Sequence, residues 1–373
     1  MTSHVLVNYS TRFLYYLLVS ITNNKFIKMK KTVFALLALF ALVSCLPDPV
    51  EPQPKDYEGT LVVGTLNENV TWYSDSIYTL RGRVIIPSGI TLTIEPGVVV
   101  KGDAGNGSTA SALIIARGGK INAVGTPGAP IIFTSVIDSI QPGQLVSPNL
   151  DETVTGLWGG LLILGYAPIS ASTSPLQIEG IPSSESNGLY GGNDSLDNSG
   201  VLQYVSIRHG GTNIGQGNEI NGLTLGGVGK GTTIDHIEVV ANQDDGIECF
   251  GGNVEIQHAL VWAQQDDAFD IDQAFSGLFE SFVSIADNQH DHALEIDGPE
   301  GTWNAPFTMW GGTLIDPDTA QIHFRDNALG YVSFNGVANI EADLGTSVVV
   351  DTLHAGAQLG EFNWTWAKAA GKL

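Results

Sequence analysis

A small acidic pattern returns three times between residues 242 and 297, and its spacing limits what this chain can fold into. The copies read Asp-Asp-Gly-Ile-Glu, Asp-Asp-Ala-Phe-Asp and Asp-His-Ala-Leu-Glu. Their last residues, Glu248, Asp270 and Glu295, are separated by 22 and 25 positions. A period of this length is typical of a solenoid, in which each repeat forms one turn of a coil, and it is too long for a helical or hairpin repeat.

Within each copy, apolar and acidic residues alternate, as in a strand that buries one face. Ile247 and Cys249 flank Glu248, for example, and the other two copies repeat the arrangement. If the copies stack in parallel, their apolar residues form a continuous core. The acidic residues then form an outward column with neighbours about 4.8 Å apart. We call Glu248, Asp270 and Glu295 the acidic column.

The rest of the chain agrees with an all-β fold of many short strands. There are 45 glycines and 16 prolines, and runs of Val, Ile, Leu and Thr are closed by turn-forming sequences such as Pro-Ser-Gly and Glu-Pro-Gly. A repeat of this length lets one solenoid use most of the 373 residues. We therefore predict a single domain over residues 60–373. Its strand rhythm is broken at residues 138–156 and 180–200, where we expect insertions that flank a binding face.

Four stretches of the chain together resemble a known family. They are the opening strand runs at residues 84–135, residues 221–229 (Asn-Gly-Leu-Thr-Leu-Gly-Gly-Val-Gly), the acidic block, and the end at residues 364–371 (Trp-Thr-Trp-Ala-Lys-Ala-Ala-Gly), and the resemblance covers about residues 60–373. The family is that of secreted, right-handed parallel β-helix lipoproteins of the pectin-lyase-like superfamily. The resemblance implies a fold and an envelope location, without an agreed activity. We expect the segment Trp364–Ala370 to cap an open end of the coil, where core and strand edges would otherwise be exposed.

The N-terminal part predicts export and lipid anchoring. Residues 29–44 join a basic start to a short apolar run, as in a secretory signal, and Leu-Val-Ser-Cys at residues 42–45 resembles a lipobox. That resemblance implies cleavage before Cys45 and lipid on this residue. Residues 45–59 are a proline-rich tether, and residues 1–28 look like an over-extended start. We therefore expect a lipid-anchored protein of a bacterial cell envelope, at the outer membrane or cell surface.

The charge balance restricts the partners. The chain has 16 Lys and Arg residues against 39 Asp and Glu residues. A surface of this sign repels nucleic acid and attracts cations, and it disfavours an anionic polymer unless a metal ion intervenes. We therefore expect no nucleic-acid partner. Separate expectations are a polysaccharide as the candidate ligand and a monomeric chain.

Stacked carboxylates about 4.8 Å apart repel each other by roughly 3–4 kcal/mol at an effective dielectric of 20, so the acidic column needs relief. A bound cation, protonation or hydrogen bonds would each provide it. Ca²⁺ takes six to eight oxygen ligands, and paired acidic residues on adjacent turns of the coil can supply several of them. Zinc prefers nitrogen and sulfur ligands, so the acidic residues favour calcium over zinc. The predicted calcium ligands are Asp245, Glu248, Asp267, Asp270, Asp272, Glu295 and Asp297.

A structural interpretation stays open beside the metal site. Asp245, Asp267 and Asp291 begin the turns before the strands, where aspartate often hydrogen-bonds backbone and shapes the corner. The acidic column lies inside the strands, where turn shaping is not available. His236 and His258 are expected to stack as a solvated ladder.

Three function classes follow from these residues. The first is a calcium-dependent carbohydrate-binding or surface-structural protein, with Trp303, Phe250 and His323 as candidate ligand-binding residues. The second is a polysaccharide lyase, for which the superfamily implies calcium on sheet carboxylates and a nearby arginine as base; Arg325 is the candidate and Arg208 a weaker one. The third is a polygalacturonase-like hydrolase with Asp270 as a catalytic carboxylate. Asn-Gln-Asp-Asp at residues 242–245 resembles that family's paired-Asp strand, but no Gly-His-Gly or Arg-Ile-Lys follows. We favour binding or structure over the lyase, and the lyase over the hydrolase.

Overall fold

The computed structural model describes residues 58–212, 220–287, 289–353 and 355–373. The predicted start, signal segment and Cys45 lie outside the described residues, as does most of the predicted tether. Of the part that the structure describes, nearly all regular structure is strand. No helix there is long and apolar enough to cross a membrane.

The strands follow one another through the whole described chain. They are β1 (Thr60–Thr65), β2 (Val70–Trp72), β3 (Ile77–Ile86), β4 (Thr91–Ile94), β5 (Val99–Gly102), β6 (Ala112–Ile115), β7 (Lys120–Val124), β8 (Ile131–Ser135), β9 (Leu161–Leu164), β10 (Leu176–Gln177), β11 (Leu189–Tyr190), β12 (Gly200–Arg208), β13 (Leu223–Gly226), β14 (Thr233–Val240), β15 (Ile247–Phe250), β16 (Glu255–Trp262), β17 (Phe269–Asp272), β18 (Leu278–Ile285), β19 (Leu294–Ile296), β20 (Phe307–Ile315), β21 (Ala320–Phe324), β22 (Leu329–Asn335), β23 (Ala338–Ala342) and β24 (Ser347–Asp351). A short helix, α1 (Trp366–Ala369), lies near the C-terminus.

Parallel pairing between successive turns of the coil builds three faces. Sheet 1 contains β2, β4, β7 and the first halves of the long strands β12, β14, β16, β18, β20 and β22. Sheet 2 begins with β1, β3, β5 and β8 and continues through the second halves of the long strands. Sheet 3 contains the end of β3, then β6, β9, β13, β15, β17, β19, β21 and β23. The predicted parallel β-helix is confirmed.

The corner between sheets 1 and 2 is made by one left-handed residue in each long strand. Tyr204, His236, His258 and Ser281 have φ between 50° and 60°, and Gly311 has φ 71°. A residue in this conformation turns the chain without interrupting the pairing on either side, which is why the long strands belong to two sheets. Tyrosine, histidine and serine rarely adopt it, so the corner is a strained column.

The inward residues of the three sheets form one apolar core along the coil. Ile247, Cys249, Phe269, Ile271 and Leu294 are all 0–1% exposed and belong to it. The alternation read from the acidic copies therefore predicts the buried face correctly, including the inward position of Cys249.

Two insertions leave the coil on either side of β9. The first, residues 136–160, joins β8 to β9, and the second, residues 165–199, joins β9 to β12 and contains the antiparallel pair β10 and β11. Apolar residues of the second insertion pack on the outward face of sheet 3. This outer cluster is made of Ile85, Ala112, Ile114, Ala116, Leu162, Leu164, Ile169, Ile178, Ile181, Tyr190, Ile220 and Phe250. Part of the face that carries the acidic column is therefore covered by protein.

The C-terminal segment, residues 355–373, packs on the side of the coil, whereas we predicted a cap over its open end. Phe362, Trp366 and Ala367 lie against outward residues of β14, β16 and β18, including Leu260 and Trp262. The reason is that the second halves of these strands present apolar residues outward as well as inward, so sheet 2 has a second face to bury. Strands β23 and β24 lie at the end of the stack.

Candidate cation site on the third sheet

The register of sheet 3 brings the acidic column together as predicted. Thr224 pairs with Glu248, Glu248 with Asp270, Asp270 with Glu295, and Glu295 with His323. Each pair lies on adjacent turns of the coil, so the side chains follow one another at the strand spacing of about 4.8 Å.

Burial of these carboxylates exceeds what an outward position suggests. Glu248 is 6% exposed, and the turn residues Asp245 and Asp267 are 7% and 3% exposed. Asp270 is partly exposed as a residue, but its Oδ1 atom is buried and has no hydrogen-bond partner among the described residues. A buried carboxylate oxygen without a partner is costly, and it is the kind of atom that a cation would satisfy.

The carboxylates form two overlapping groups that share Asp270. One oxygen each from Asp245, Glu248 and Asp270 lie within 4.8 Å of one another, and the same holds for Asp267, Asp270 and Glu295. Asp270 is thus the centre of a five-carboxylate cluster spread over three turns of the coil. Carboxylate oxygens of this density are the ligands that Ca²⁺ prefers.

Burial raises the pKa of each central carboxyl, and the neighbouring carboxylates raise it further. For Glu248 and Asp245 the strongest neighbour is Asp270, and for Asp270 it is Asp267. Burial also raises the pKa of Asp267, to about 6, although a hydrogen bond from His292 lowers it. Burial and mutual repulsion therefore both favour protonation of these carboxyls, and a cation would compete with those protons.

The turn aspartates do more than shape their own corners. Asp245 Oδ1 accepts a hydrogen bond from the Asp267 backbone N–H at 2.9 Å, and Asp267 Oδ1 accepts one from the His292 backbone N–H at 2.7 Å. Each carboxylate therefore links its turn of the coil to the next. The structural interpretation and the metal interpretation are both compatible with this arrangement, since the other carboxylate oxygen takes no part in these two bonds.

The second predicted pair, Asp272 and Asp297, differs from the central cluster in its partners. Asp272 Oδ1 accepts a bond from the Gln273 backbone N–H at 2.6 Å, and burial raises its pKa to about 7. Asp297 Oδ1 lies 3.6 Å from Arg325 Nε, and burial raises the pKa of Asp297 to about 6 although Arg325 lowers it. Arg325 also pairs with Glu295 at 2.7 Å. Arginine therefore neutralises the Glu295 end of the acidic column, and no ion pair with Asp270 or Glu248 occurs among the described residues.

Two histidines border the same cluster. His292 Nδ1 lies 2.9 Å from Asp267 Oδ1, and this hydrogen bond raises the pKa of His292 to about 9. His323 Nδ1 lies 3.9 Å from Glu295 Oε1. One ligand atom each from His292, Glu295 and His323 lies within 4.8 Å of the other two, and His292 Nδ1 is already hydrogen-bonded to Asp267.

The predicted ligand-binding residues differ in their exposure to solvent. Phe250 is 6% exposed and packs against Tyr190 with ring centroids 5.9 Å apart, beneath the second insertion. This corrects the prediction for Phe250, because a covered ring has no face left for a ligand. Trp303 is 42% exposed in the loop after Asp297, and His323 is partly exposed at the Glu295 end of the column.

Sequence reasoning missed Asn221, which precedes β13. Its Nδ2 donates a hydrogen bond to Glu248 Oε2, and its Oδ1 is buried with no hydrogen-bond partner in the described ranges. The residue belongs to the Asn221–Gly229 stretch that carries the family resemblance, so a signal was present. It was missed because an asparagine in a turn is ordinarily explained by the turn itself.

The family comparison agrees with this architecture. A family model described as a pectate-lyase-like β-helix domain matches residues 64–315, about two thirds of the chain. This chain belongs to that family. The match spans the three sheets, both insertions and the whole acidic column. No curated protein and no solved structure matches the chain.

Proposed function

We propose that this member of the pectate-lyase-like β-helix family is an envelope-anchored protein that binds carbohydrate, or serves as a surface scaffold, with Ca²⁺ held by the acidic column and its turn aspartates. The observation that carries the proposal is Asp270. Within the part of the chain that the structure describes, its buried Oδ1 has no hydrogen-bond partner, and two groups of carboxylates share Asp270. A divalent cation would relieve the repulsion and satisfy the orphaned oxygen at once.

Asp245, Glu248, Asp267 and Asp270 would supply most protein oxygens, with water completing a shell of six to eight. Glu295 is less available because it pairs with Arg325. We therefore expect the ion nearer Glu248 than Arg325.

Carbohydrate binding is the part that the family and one aromatic side chain support. Trp303 stands 42% exposed on a loop that meets the second insertion, where the Glu300 backbone N–H donates to Ser170 Oγ at 3.3 Å. An exposed indole on an anchored loop can stack on a sugar ring. The calcium centre would then offer a cation to acidic or hydroxyl groups of the same glycan.

Calorimetric titration of the full chain, stripped of ions with chelator, tests the cation. We expect Ca²⁺ to bind, and at 100 times its dissociation constant to raise the free energy of unfolding by about 2.7 kcal/mol. Asp270→Asn should abolish both effects, whereas Glu68→Gln, an exposed carboxylate before β2, should leave them unchanged. No heat of binding, together with a melting temperature that is the same in chelator and calcium, would refute the calcium site.

A glycan array probed in calcium and in chelator tests the ligand. Calcium-dependent retention on particular glycans, reduced at least tenfold in Trp303→Ala, supports the binding function. Retention that is unchanged by chelator and by Trp303→Ala would count against the carbohydrate-binding function and leave the scaffold role.

The polysaccharide lyase stays the second candidate because Arg325 lies beside the carboxylates that would hold calcium and a uronate. Burial lowers the pKa of Arg325, but Asp297 and Glu295 raise it more, so that the net shift is upward. An arginine held in this way keeps its proton, which disfavours it as a base. Incubation with polygalacturonate, alginate and neutral glycans in calcium decides the matter. Ultraviolet absorbance of unsaturated products that is lost in Arg325→Ala would replace binding with lyase activity, and new reducing ends without that absorbance, lost in Asp270→Asn, would indicate the hydrolase.

The anchor is proposed from the sequence alone, since Cys45 lies outside the described residues. Palmitate labelling of cells should mark the wild-type protein and not Cys45→Ala. Label retained by that variant would remove the lipid anchor from the proposal.

A further inference from the structure

A second cluster of metal-ligating side chains lies at the corner between sheets 1 and 2, away from the acidic column. It consists of Asp235 and His236 on β14 and His258 on β16, one turn of the coil later. Both histidines hold the left-handed corner position, with φ 56° and 50°. That conformation directs both imidazoles to the same side of the corner, where their ring centroids are 4.4 Å apart.

The carboxylate lies between the two rings. Asp235 Oδ1 is 2.7 Å from the Nδ1 atom of His236 and 2.7 Å from the Nδ1 atom of His258. One ligand atom from each of the three residues falls within 4.8 Å of the others. Two ligands on one tetrahedral zinc ion, with bonds of about 2.0 Å, lie roughly 3.3 Å apart, so a small opening of these contacts would admit the ion.

The two histidines approach the same carboxylate oxygen. His258 Nδ1 makes a hydrogen bond with Asp235 Oδ1, and His236 Nδ1 makes an ion-pair contact with it at 2.7 Å. His236 is only 5% exposed, so its ring is largely closed off from solvent. A buried imidazole that shares one carboxylate oxygen with a second imidazole is in an environment that suits a metal ligand.

The outer contacts are those that hold metal ligands in place. His236 Nε2 lies 3.2 Å from Glu361 Oε2, and Gln203 Nε2 donates to Asp235 Oδ2 at 3.1 Å. A carboxylate on the far nitrogen of a ligating histidine fixes its tautomer and orientation. Tyr204 stacks on His236 with centroids 4.2 Å apart, which limits water on one side.

We propose that Asp235 Oδ1, His236 Nδ1 and His258 Nδ1 form a binding site for a zinc-class divalent ion, with Glu361 of the C-terminal segment as the outer partner of His236. Two imidazole nitrogens and one carboxylate oxygen suit zinc better than calcium, which takes oxygen ligands. Three protein ligands leave a fourth position for water or a ligand atom. The site is independent of the acidic column, and the proposal does not depend on calcium binding.

The ion would also tie the C-terminal segment to the coil. Glu361 precedes Phe362, whose ring meets His258 edge-on with centroids 6.3 Å apart. Ordering of His236 by metal therefore orders the Glu361 contact, and metal should protect the C-terminal segment from proteolysis.

The test is a titration of the full chain, purified without a histidine tag and stripped with chelator, using Zn²⁺ by calorimetry and Co²⁺ by visible absorption. We expect one zinc-competed cobalt site with the absorption of a tetrahedral centre. His258→Asn and His236→Asn should lower the affinity for Zn²⁺ by at least tenfold. Asparagine accepts the left-handed conformation, so both variants should fold.

His290→Asn is the matched control. His290 has the same side-chain exposure as His258, 15% against 16%, and also pairs with an aspartate, Asp316 at 3.0 Å. Its loss should leave the corner site unchanged. Glu361→Gln, which alters only the outer partner, should weaken zinc by about tenfold while keeping the cobalt spectrum.

Three outcomes would overturn the site. They are no zinc uptake by the wild type, zinc affinity that His258→Asn does not reduce, and equal losses in His258→Asn and His290→Asn. The second outcome would move any bound zinc to His292 and His323.

Discussion

Sheets 2 and 3 both bury charged side chains on their outward faces, yet they treat those charges in opposite ways. On sheet 2, Arg208 and Glu238 are both fully buried, with Arg208 Nη2 at 3.7 Å from Glu238 Oε2. On sheet 3, Asp270 stands in the middle of the acidic column, with Glu248 on one side and Glu295 on the other.

The sheet 2 pair is held by several protein hydrogen bonds, although Arg208 Nη2 makes none among the described residues and only lies 3.7 Å from Glu238 Oε2. Ser206 Oγ donates to Glu238 Oε2 at 2.6 Å, and the Ala367 backbone N–H donates to Glu238 Oε1 at 2.9 Å. Arg208 Nη1 donates to the Leu145 carbonyl at 2.7 Å, and its guanidinium lies 4.8 Å from the Trp366 ring centroid. Both the first insertion and the C-terminal segment therefore dock on this pair.

The difference separates structural charge from functional charge. A buried pair of opposite charges is stable in place, whereas breaking it leaves an expensive lone charge. Buried carboxylates crowded against one another are relieved only in part by their hydrogen bonds from Asn221 and His292, and protons or an ion from solution would complete the relief. The Arg208–Glu238 pair therefore explains how the insertion and the C-terminal segment attach to the coil, and the carboxylates of sheet 3 support the proposed cation site.

The largest expected effect concerns the cover on sheet 2. Trp366→Ala should lower the free energy of unfolding by about 3–5 kcal/mol, because a 3% exposed indole packed against Trp262 leaves a cavity. Trp303→Ala, at a 42% exposed indole, should change it by less than about 0.5 kcal/mol. Chemical denaturation of both variants in chelator measures this, and equal losses would erase the distinction between the cover and the candidate ligand loop.

The same substitution on the two sheets should have opposite signs. Glu238→Gln should cost about 3 kcal/mol because it leaves Arg208 buried without its counter-charge. Glu248→Gln should raise the stability of the ion-free protein at about pH 8, since it removes one member of a repelling set, by about 1 kcal/mol. Chemical denaturation of the two variants side by side measures this. Equal destabilisation of both would contradict the difference between the charges of sheet 2 and those of sheet 3.

The pH dependence of stability should come from sheet 3. Burial raises the pKa of Asp267 to about 6 and that of Asp272 to about 7, so the folded chain binds these protons more tightly than the unfolded chain. Their contribution is complete below the unfolded pKa of about 4 and is lost as the pH rises through the folded values. The free energy of unfolding in chelator should therefore fall from about pH 4 to about pH 7.

Millimolar Ca²⁺ should flatten that fall, because the ion replaces the protons. Asp272→Asn should reduce the slope in chelator. A stability curve that rises over the same interval would contradict the assigned pKa directions.

The smallest effect tests the C-terminal helix alone. Thr365 is the N-cap of α1, and its Oγ1 accepts a hydrogen bond from the Lys368 backbone N–H at 3.1 Å. Thr365→Ala should cost about 1 kcal/mol, whereas Thr365→Ser should cost much less. Thermal denaturation resolves the two, and equal losses would indicate that the threonine methyl group, not the cap, is what matters.

The sequence predicted the coil and the register of the acidic column because both follow from a period of two within strands and a period of 22–25 between them. It did not predict that Phe250 is covered, since nothing local in residues 165–199 states which face they will pack on. The position of the C-terminal segment was missed for the same reason. Its aromatic residues indicate burial, but their partners are far away in the sequence. The contacts on β14 and β16 are 100 residues or more away, and those on β18 are about 80 residues away.

The corner site shows a different limit. The sequence placed His236 and His258 one above the other, which the structure confirms, but predicted solvent around them. Glu361 comes from the far end of the chain, so its approach to His236 depends on tertiary structure that strand periodicity does not encode.

The lateral docking of residues 355–373 changes how this repeat protein can come apart. In a simple repeat array each turn touches only its neighbours, so unfolding can begin anywhere and spread. Here the C-terminal segment, residues 355–373, forms a strap across several turns. Its backbone N–H groups donate hydrogen bonds to Thr313 of β20, Ser281 of β18 and Glu238 of β14. The turns beneath it are joined into one cooperative block, while β23 and β24 lie beyond it with Leu344 fully exposed between them. The end of the coil can therefore fray without releasing the strap, and the middle cannot open until the strap has left.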